Sequence, residues 1–418
     1  MNQPPLPEET CRPGEAELFI NPNAKRFGAW SERQNAVLSQ EGFHRAEAVI
    51  HHWPGYRPTS LLDFEGLAQS MGIARIWYKN EAERFGLESF KALGGAYAIA
   101  ELIMRKAAEG TFAKPISSPL LFAGHYRELA SEITVASATD GNHGRSVAWG
   151  AGLFGCRAVI YIHATVSEGR KQAIEAYGAE VRRVDGNYDD TVRQCAADAA
   201  EHGWTVISDT SYPGYTAIPI DVMQGYGVMA AEAIAELLPE EEPSHVFVQG
   251  GVGAMAAAVA AHLSWRWRKR RPMLVVVEPV QAACLLASAK AGSPAVVGGD
   301  LDTVMAGLSC GEPSLLAWDV LEEAADAFMT VPDHVAEGTM RRLAKGVGGD
   351  HPLVGGESGV AGLAGAIAVS RTDALRTKLD LGSQSRVLVF GTEGATDPDL
   401  YEEIVGRSAD DIEAAARS

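Results

Sequence analysis

The sequence predicts an α/β fold in which helices cover both faces of parallel β-sheets. Short runs of β-branched and aliphatic residues alternate along the chain with segments of helical length. The runs at His245–Gln249 (HVFVQ) and Met273–Glu278 (MLVVVE) are apolar at most positions. Unbroken apolar strands separated by helices are typical of parallel sheets that are buried on both faces.

The predicted elements follow this alternation along most of the chain. In sheets of this kind ligands bind at the carboxyl ends of the strands, so we expect the chemistry there. The clearest helical segments are Arg170–Tyr177, Asp190–His202, Ala254–Arg268 and Leu315–Ala325. The predicted strands are Arg75–Lys79, Glu132–Ala138, Arg157–His163, Glu180–Asp185, Thr205–Asp209, His245–Gln249, Met273–Glu278, Phe328–Val331 and Val387–Phe390.

Composition limits the class of protein. The chain has 418 residues, of which 46% are hydrophobic, so it can bury a sizeable core. Its formal net charge of -18 argues against a nucleic acid or an anionic membrane as partner. The sequence shows neither an apolar run of about 18 residues nor the pattern of a signal peptide. We therefore expect a cytoplasmic protein.

The strand pattern predicts a small domain inserted into a larger one. The four strands between Glu132 and Asp209 follow each other closely, which predicts a small domain over residues 131–210. Residues 1–130 and 211–418 then form the large domain. Residues 1–40 carry no recognisable motif and are expected to be an N-terminal arm.

The five cysteines do not have the CxxC spacing of a structural zinc site, and no metal is expected. The spacing also argues against the disulfide framework of a small secreted protein, so buried thiols are the simplest interpretation. Cys284 and Cys310 flank one segment. Whether these two meet in space is an open question.

A glycine-rich turn lies between a predicted strand and an alanine-rich helix. Gly250, Gly251 and Gly253 allow the backbone to approach a ligand, and the N–H groups at the helix start favour an anion. The turn is therefore a candidate phosphate site. Two alternatives remain: Gly251-x-Gly253 with Glu278 fits a dinucleotide fingerprint, and glycines also permit tight packing of a helix on a strand.

Lys91 lies between Phe90 and an apolar run, in a stretch that otherwise predicts a buried helix. Apolar surroundings disfavour an ammonium, and the neutral amine is the form that makes a Schiff base with an aldehyde. A lysine that extends from a helix start toward water explains the same position when it is considered alone.

Polar residues follow two of the predicted strands. Asp140, Asn142 and His143 come after Glu132–Ala138, and Thr392 comes after the last strand. An asparagine there can donate to a ring hydroxyl, and the Thr392 hydroxyl can meet a ring nitrogen. Helix capping is the structural alternative for Asp140 and Thr392.

The ordered set of motifs resembles the fold-type II pyridoxal phosphate enzymes, the family of threonine dehydratase, tryptophan synthase β and cysteine synthase. Several motifs in one order are far more specific than any single motif. Within the family, the motifs look like those of the diaminopropionate ammonia-lyase subgroup. They are RFGLESFKALGGAYA, TDGNHGRSVAWGA, DTSYPGYTAIPIDVMQGY, GGVGAMAAAV and GESGVAG, with Gly391-Thr392-Glu393-Gly394 near the end.

The resemblance implies two open, mostly parallel twisted sheets covered by helices, and pyridoxal 5'-phosphate as cofactor. It implies that Lys91 forms the Schiff base with the cofactor and that Phe90 lies beside the ring. Asn142 would face the ring hydroxyl, and Thr392 would meet the pyridine nitrogen. The residues implied to bind the phosphate are Gly250, Gly251, Val252 and Gly253.

The predicted reaction is elimination of ammonia from D- or L-2,3-diaminopropionate, an amino-acid substrate, which gives pyruvate and a second ammonia. A buried cation must be paired, so a second substrate ammonium needs an acid that serine and threonine do not need. Asp209 is predicted to hold this ammonium. The resemblance implies that Lys91 and Asp140 take the α-proton on opposite faces, and that the protein is a homodimer. The alternatives are a serine or threonine dehydratase of the same fold and an NAD-dependent oxidoreductase.

Overall fold

The computed structural model of the protein describes residues 11–12, 14–109, 117–139, 141–164, 166–186, 188–238 and 240–417. These residues divide into two compact units. Unit 1 contains those within 1–37, 58–83 and 229–418, and unit 2 contains those within 38–57 and 84–228. A small domain over residues 131–210 stays a prediction; its described residues lie in unit 2 with the segments that precede and follow them.

The described residues form strands in two sheets, one in each unit. In the larger sheet the two edge strands have three residues each, and the central strands are buried at nearly every position. In chain order the strands are β1 (Leu18–Ile20), β2 (Leu61–Asp63), β3 (Arg75–Asn80), β4 (Thr134–Ala138), β5 (Arg157–His163), β6 (Glu180–Val184), β7 (Thr205–Val206), β8 (His245–Gln249), β9 (Met273–Pro279), β10 (Ala327–Val331) and β11 (Arg386–Gly391).

The sheet of unit 1 has seven strands in the order β1-β10-β9-β8-β11-β3-β2. The strands from β10 to β3 are parallel, and β1 and β2 pair with their neighbours in the antiparallel direction. The sheet of unit 2 has four parallel strands in the order β6-β5-β4-β7. The loops after β8 and β11 therefore lie side by side in unit 1, and those after β4 and β7 lie side by side in unit 2.

Helices connect most of the parallel strands. None of those in the described ranges is long and apolar enough to cross a membrane. They are α1 (Glu32–Val37), α2 (Gln40–Ile50), α3 (Glu65–Met71), α4 (Lys91–Glu109), α5 (Ser118–Phe122), α6 (Arg127–Ser131), α7 (Asn142–Phe154), α8 (Glu168–Glu175), α9 (Tyr188–His202), α10 (Ala217–Glu236), α11 (Ala254–Trp267), α12 (Cys284–Ala291), α13 (Leu315–Ala324), α14 (Asp333–Lys345), α15 (Ala361–Ser370), α16 (Asp373–Leu379), α17 (Pro398–Val405) and α18 (Ala409–Arg417).

Helix α4 is packed against its neighbours through glycines. A Cβ on Gly95 would lie 2.3 Å from Ser146 Oγ of α7, and one on Gly94 would lie 2.4 Å from the Tyr226 ring of α10. From the other side, a Cβ on Gly225 of α10 would lie 2.2 Å from the Leu93 carbonyl oxygen. Real Cβ atoms do not approach so closely, so only glycine allows these backbones to meet. The start of α4 is therefore held in a fixed position.

The structure confirms the α/β alternation, and nearly all predicted strand ends agree to within two residues. Two strands, β1 and β2, were not predicted because each has three residues and lies at a sheet edge. The prediction of a strand over Thr205–Asp209 is wrong at its end. Strand β7 stops at Val206, so Asp209 lies in the loop beyond it.

Candidate active site

Lys91 is the first residue of α4, and its backbone is held on both sides. Its N–H donates to Ser89 Oγ at 3.3 Å, and its carbonyl oxygen accepts a bond from Ser146 Oγ at 2.7 Å. Serine hydroxyls at helix starts often bond to backbone groups that the helix leaves unsatisfied. The Lys91 side chain is 20% exposed. The amine is therefore accessible, while the backbone that carries it is fixed.

Asp209 is the partner of the Lys91 amine. Lys91 Nζ lies 2.5 Å from Asp209 Oδ2, and the Asp209 side chain is 15% exposed. Burial alone would raise the pKa of the Asp209 carboxyl. The charge of Lys91, then that of His143 and the hydrogen bond from Lys91, outweigh burial and hold this pKa well below its usual range. Asp209 is therefore a carboxylate at neutral pH.

Two aromatic rings lie beside the amine. Lys91 Nζ is 5.4 Å from the centroid of the Phe90 ring and 5.6 Å from that of the Tyr226 ring. The two ring centroids are 4.7 Å apart. A cation at these distances is attracted to the ring faces. No role was predicted for Tyr226 from the sequence, although it is the last residue of the motif DTSYPGYTAIPIDVMQGY and stands between Gly225 and Gly227.

The turn between β4 and α7 carries the asparagine motif. Thr139 Oγ1 accepts the N–H groups of Gly141 at 3.0 Å and of Gly144 at 3.1 Å, so the first turn of α7 is held from β4. Asn142 is the first residue of α7. Asp140 lies outside the described residues.

The segment that leads to Asp209 is held by neighbouring side chains. The Ile207 carbonyl oxygen accepts a bond from Ser137 Oγ at 2.9 Å and lies 3.0 Å from His143 Nε2. The Tyr215 hydroxyl bonds to the backbone on either side of Ile207, at 2.8 and 3.0 Å. These contacts fix the chain just before Asp209, although no regular strand reaches that residue.

In unit 1, the glycine turn follows β8 and leads into α11. Gly251 has φ +60° and Gly253 has φ +95°, a left-handed conformation that favours glycine. A Cβ on Gly250 would lie 2.5 Å from Glu278 Cγ. The N–H of Gly250 donates to the Val277 carbonyl oxygen at 2.8 Å. The N–H of Gly253 donates to the Gly250 carbonyl oxygen at 3.2 Å, so the glycines at both ends of the turn already use their N–H groups. The turn still has the form of an anion cradle before a helix start.

Glu278 does not have the role that the dinucleotide alternative requires. It is fully buried, and its carboxylate oxygens accept the N–H groups of Leu285 and Leu286, each at 2.8 Å. Burial raises its pKa to about 8, although these two bonds act in the opposite direction. Glu278 therefore holds the start of α12 and is not available to a ribose.

Thr392 lies directly after β11 and is 4% exposed. Its Oγ1 accepts a hydrogen bond from Gln249 Nε2 at 3.2 Å. The two amide hydrogens of Gln249 go to the carbonyl oxygens of Gly359 at 2.6 Å and Phe390 at 2.7 Å, and the longer contact with Thr392 shares one of them. Gln249 therefore joins the ends of β8 and β11, and because it occupies an acceptor position of Thr392, the hydroxyl hydrogen points elsewhere.

Both Cys284 and Cys310 are thiols in the structure. Cys284 Sγ lies 3.5 Å from the Gly251 carbonyl oxygen, and a Cβ on Gly251 would lie 3.8 Å from Cys310 Sγ. Both thiols are therefore next to the glycine turn. Among the described residues, no group of three or more His, Cys, Asp or Glu side chains could hold a metal ion.

The chain matches the family of pyridoxal-phosphate-dependent enzymes over residues 52–393. The chain belongs to this family. It is 42% identical over 387 residues to diaminopropionate ammonia-lyase of Escherichia coli (strain K12), which covers 92% of this chain and 94% of the relative. It is 36% identical over 400 residues to diaminopropionate ammonia-lyase of Salmonella typhimurium, with 93% and 98% covered.

Solved structures agree with this membership of the pyridoxal-phosphate-dependent enzymes. The holo diaminopropionate ammonia lyase from Escherichia coli has a TM-score of 0.84 at 38% identity and covers 93% of this chain and 96% of that one. Threonine deaminase isoform 2 from Solanum lycopersicum has a TM-score of 0.70 at 19% identity, with 93% and 96% covered, and shows the fold alone. The predicted fold-type II architecture and the cofactor class are confirmed, and the NAD-dependent alternative is wrong.

The residues of this chain fit pyridoxal phosphate. An accessible amine at Lys91 suits the cofactor aldehyde, and the glycine turn at Gly250–Gly253 before a helix start suits the phosphate. The roles predicted for the individual site residues stay predictions. The structure brings Lys91 together with Asp209 and Phe90 in unit 2, and it brings Thr392 next to Gln249 in unit 1.

Proposed function

We propose that this protein eliminates ammonia from 2,3-diaminopropionate and releases pyruvate and a second ammonia. The observation that carries the proposal is the contact of 2.5 Å between the accessible amine of Lys91 and the ionised carboxylate of Asp209. Both the Escherichia coli and Salmonella typhimurium relatives are diaminopropionate ammonia-lyases, which supports this substrate. Another Escherichia coli structure, at 38% identity, holds an aminoacrylate-PLP azomethine reaction intermediate.

Pyridoxal phosphate is the cofactor of the proposed reaction, and residues of this chain would hold it. When bound, pyridoxal phosphate withdraws electrons from the α-carbon of an amino acid, which makes loss of the α-proton and of a β-substituent possible. Lys91, Phe90 and Asn142 are assigned to the reactive end and the ring. The phosphate is assigned to Gly250, Gly251, Val252 and Gly253.

Thr392 is assigned to the pyridine nitrogen. Since Gln249 donates to Thr392 Oγ1, the hydroxyl is set to act as a donor. A neutral hydroxyl does not keep a ring nitrogen protonated as a carboxylate does. The residues around the ring therefore favour prompt loss of a β-substituent over storage of a long-lived carbanion.

Lys91 and Asp209 have different roles toward the substrate. As a neutral amine, Lys91 Nζ takes the α-proton on its own face of the substrate. Asp209, which now pairs with the Lys91 ammonium, pairs with the β-ammonium of the substrate when that cation is present. A hydroxyl in the β-position, as in serine, makes no use of this charge.

Asp140 is the proposed base on the opposite face. With Asp140→Asn, we expect turnover of D-2,3-diaminopropionate to fall about a hundredfold, the usual contribution of a positioned base, while turnover of the L form stays within about threefold. Pyruvate release from each enantiomer, measured separately, checks this. Equal loss with both enantiomers would mean that Asp140 does not act as a base on one face.

The direct test of the function is 2-oxo-acid release from D- and L-2,3-diaminopropionate, with D-serine, L-serine and L-threonine alongside. We expect kcat/KM for the diamino acids to exceed that for the hydroxy amino acids at least tenfold, because only they engage the Asp209 charge. D-Serine belongs in the set because an Escherichia coli diaminopropionate ammonia lyase structure was solved in complex with it. Turnover of serine or threonine alone would contradict the proposed substrate and support the dehydratase alternative.

The protein is further proposed to act in the cytoplasm as a homodimer. Family analogy supports the dimer. The acidic composition and the absence of a basic cluster large enough for a polyanion support a small-molecule substrate as its ligand.

A further inference from the structure

Tyr226 carries a buried hydroxyl close to Lys91 and Asp209. Its side chain is fully buried in α10, and among the described residues its hydroxyl makes no hydrogen bond. A buried hydroxyl without a partner costs about 1–3 kcal/mol, and phenylalanine would fill the same space without that cost. The hydroxyl thus has no role in stabilising the protein in this state.

The surroundings of Tyr226 determine the protonation state of its hydroxyl. Burial raises its pKa above the usual value, and Lys91 and Asp209 act on this pKa in opposite senses through both their charges and their hydrogen-bonding groups. It therefore stays protonated at neutral pH and can both donate and accept. Lys91 is already bonded to Asp209 at 2.5 Å, so neither member of the pair requires the hydroxyl as long as the pair is closed.

The ring has little freedom to turn away. It lies against Phe90 on one side, with ring centroids 4.7 Å apart. On another side it meets the backbone of α4, since a Cβ on Gly94 would lie 2.4 Å from Tyr226 Cε1. The hydroxyl is thus kept next to the start of α4, where Lys91 begins.

We propose that Tyr226 is a positioning residue whose hydroxyl becomes the hydrogen-bond partner of Asp209 or Lys91 when these two separate. This inference rests on the proposed function in that Lys91 is the reacting amine. For Lys91 to react, its Nζ has to leave the carboxylate, and a partly buried carboxylate without a partner is costly. The hydroxyl can then donate to Asp209, or accept from the lysine ammonium, and so lowers the barrier to this separation.

The test compares Tyr226→Phe with Tyr401→Phe in the full-length holoenzyme. Tyr401, in α17 of unit 1, is also fully buried with a hydroxyl that has no partner, so it controls for removal of such a group. For Tyr226→Phe we expect kcat to fall about tenfold to a hundredfold, the loss of one bond to a charged group, with KM within about twofold. The pH midpoint of the visible absorbance change of the bound cofactor should move by at least about half a pH unit, because this midpoint follows the charge state around Lys91. The thermal midpoint should not fall in either variant, and Tyr401→Phe should leave kcat, KM and the absorbance midpoint unchanged.

Each result of the Tyr226→Phe comparison either supports or overturns the inference. An unchanged kcat and an unchanged absorbance midpoint in Tyr226→Phe would overturn the inference and leave Tyr226 as a core residue. A fall in kcat together with a lower thermal midpoint and no spectral shift would also overturn it, because it would indicate a packing defect. A spectral shift in an enzyme that turns over only serine or threonine would uphold the inference and reject the proposed substrate.

Discussion

Lys91→Ala is expected to lower turnover of both enantiomers of 2,3-diaminopropionate by about a thousandfold or more. A positioned acid or base alone contributes about a hundredfold to ten-thousandfold, and this variant also loses the amine that is proposed to bond to the cofactor. Both enantiomers are affected because both need that bond, whichever face the proton leaves from. Pyruvate release and the visible absorbance of the purified protein measure the two losses separately.

Lys171→Ala is the matched control for this change. Lys171 is a lysine of the same unit that forms surface ion pairs with Glu168 at 3.0 Å and Glu175 at 3.3 Å. Such exposed pairs contribute little to stability, so activity and absorbance should stay at the level of the unaltered protein. If Lys91→Ala kept both its visible absorbance and a tenth of its activity, Lys91 would not be the reacting lysine.

Asp209→Asn is expected to lower kcat/KM for 2,3-diaminopropionate by about a hundredfold, and that for L-serine by about tenfold. Removing one member of a buried charge pair costs several kcal/mol. The part of the loss common to both substrates comes from Lys91, which has no carboxylate partner in this variant. The additional loss is specific to the diamino acid, because only its β-ammonium needs the charge.

The pH dependence of stability gives a second measurement on the same variant. Since the pKa of Asp209 is depressed in the folded protein, its pairing stabilises the fold above the ordinary carboxyl pKa of about 4. This contribution is lost as the pH falls through the folded-state pKa. The difference in free energy of unfolding between the unaltered protein and Asp209→Asn should therefore be present at neutral pH and disappear in strong acid.

Asp185→Asn separates these effects from a general loss of charge. Asp185 is exposed and directly follows β6 in the same sheet. Its replacement should change neither substrate preference nor stability by a measurable amount. Equal losses with 2,3-diaminopropionate and L-serine in Asp209→Asn would refute the role of Asp209 in holding the β-ammonium.

The sequence predicts the parts of the site that follow repeated local patterns. The glycine turn lies between an apolar strand and an alanine-rich helix, and Thr392 follows an apolar strand, so both have a clear local context. Lys91 stands out because a cation is rare in a run of this kind. Even so, it is the family resemblance that selects among the chemical alternatives for each of these residues.

Other features depend on contacts between distant parts of the chain. From the sequence, an acid that follows a strand, such as Glu278, can bind a ribose or cap a helix. The structure decides between these roles, because Glu278 accepts two backbone N–H groups at 2.8 Å. Tyr226 looks like an ordinary core residue until Lys91 is placed beside it. Asp209 was expected to end a strand, but side-chain contacts to Ile207 hold this segment in place of strand pairing.

The glycines at the contacts of α4 with its neighbours limit where this protein can be redesigned. At Gly94, Gly95 and Gly225 even an alanine would collide with a neighbour, so variants at these positions would be lost from a mutant library before selection for a new substrate began. The loop that begins after Asp209 is different. Tyr212 in that loop is 52% exposed, and changes there can accumulate without disturbing the packing of α4. Substitutions are therefore expected to be tolerated at exposed positions of this loop such as Tyr212, while the lysine helix stays constant.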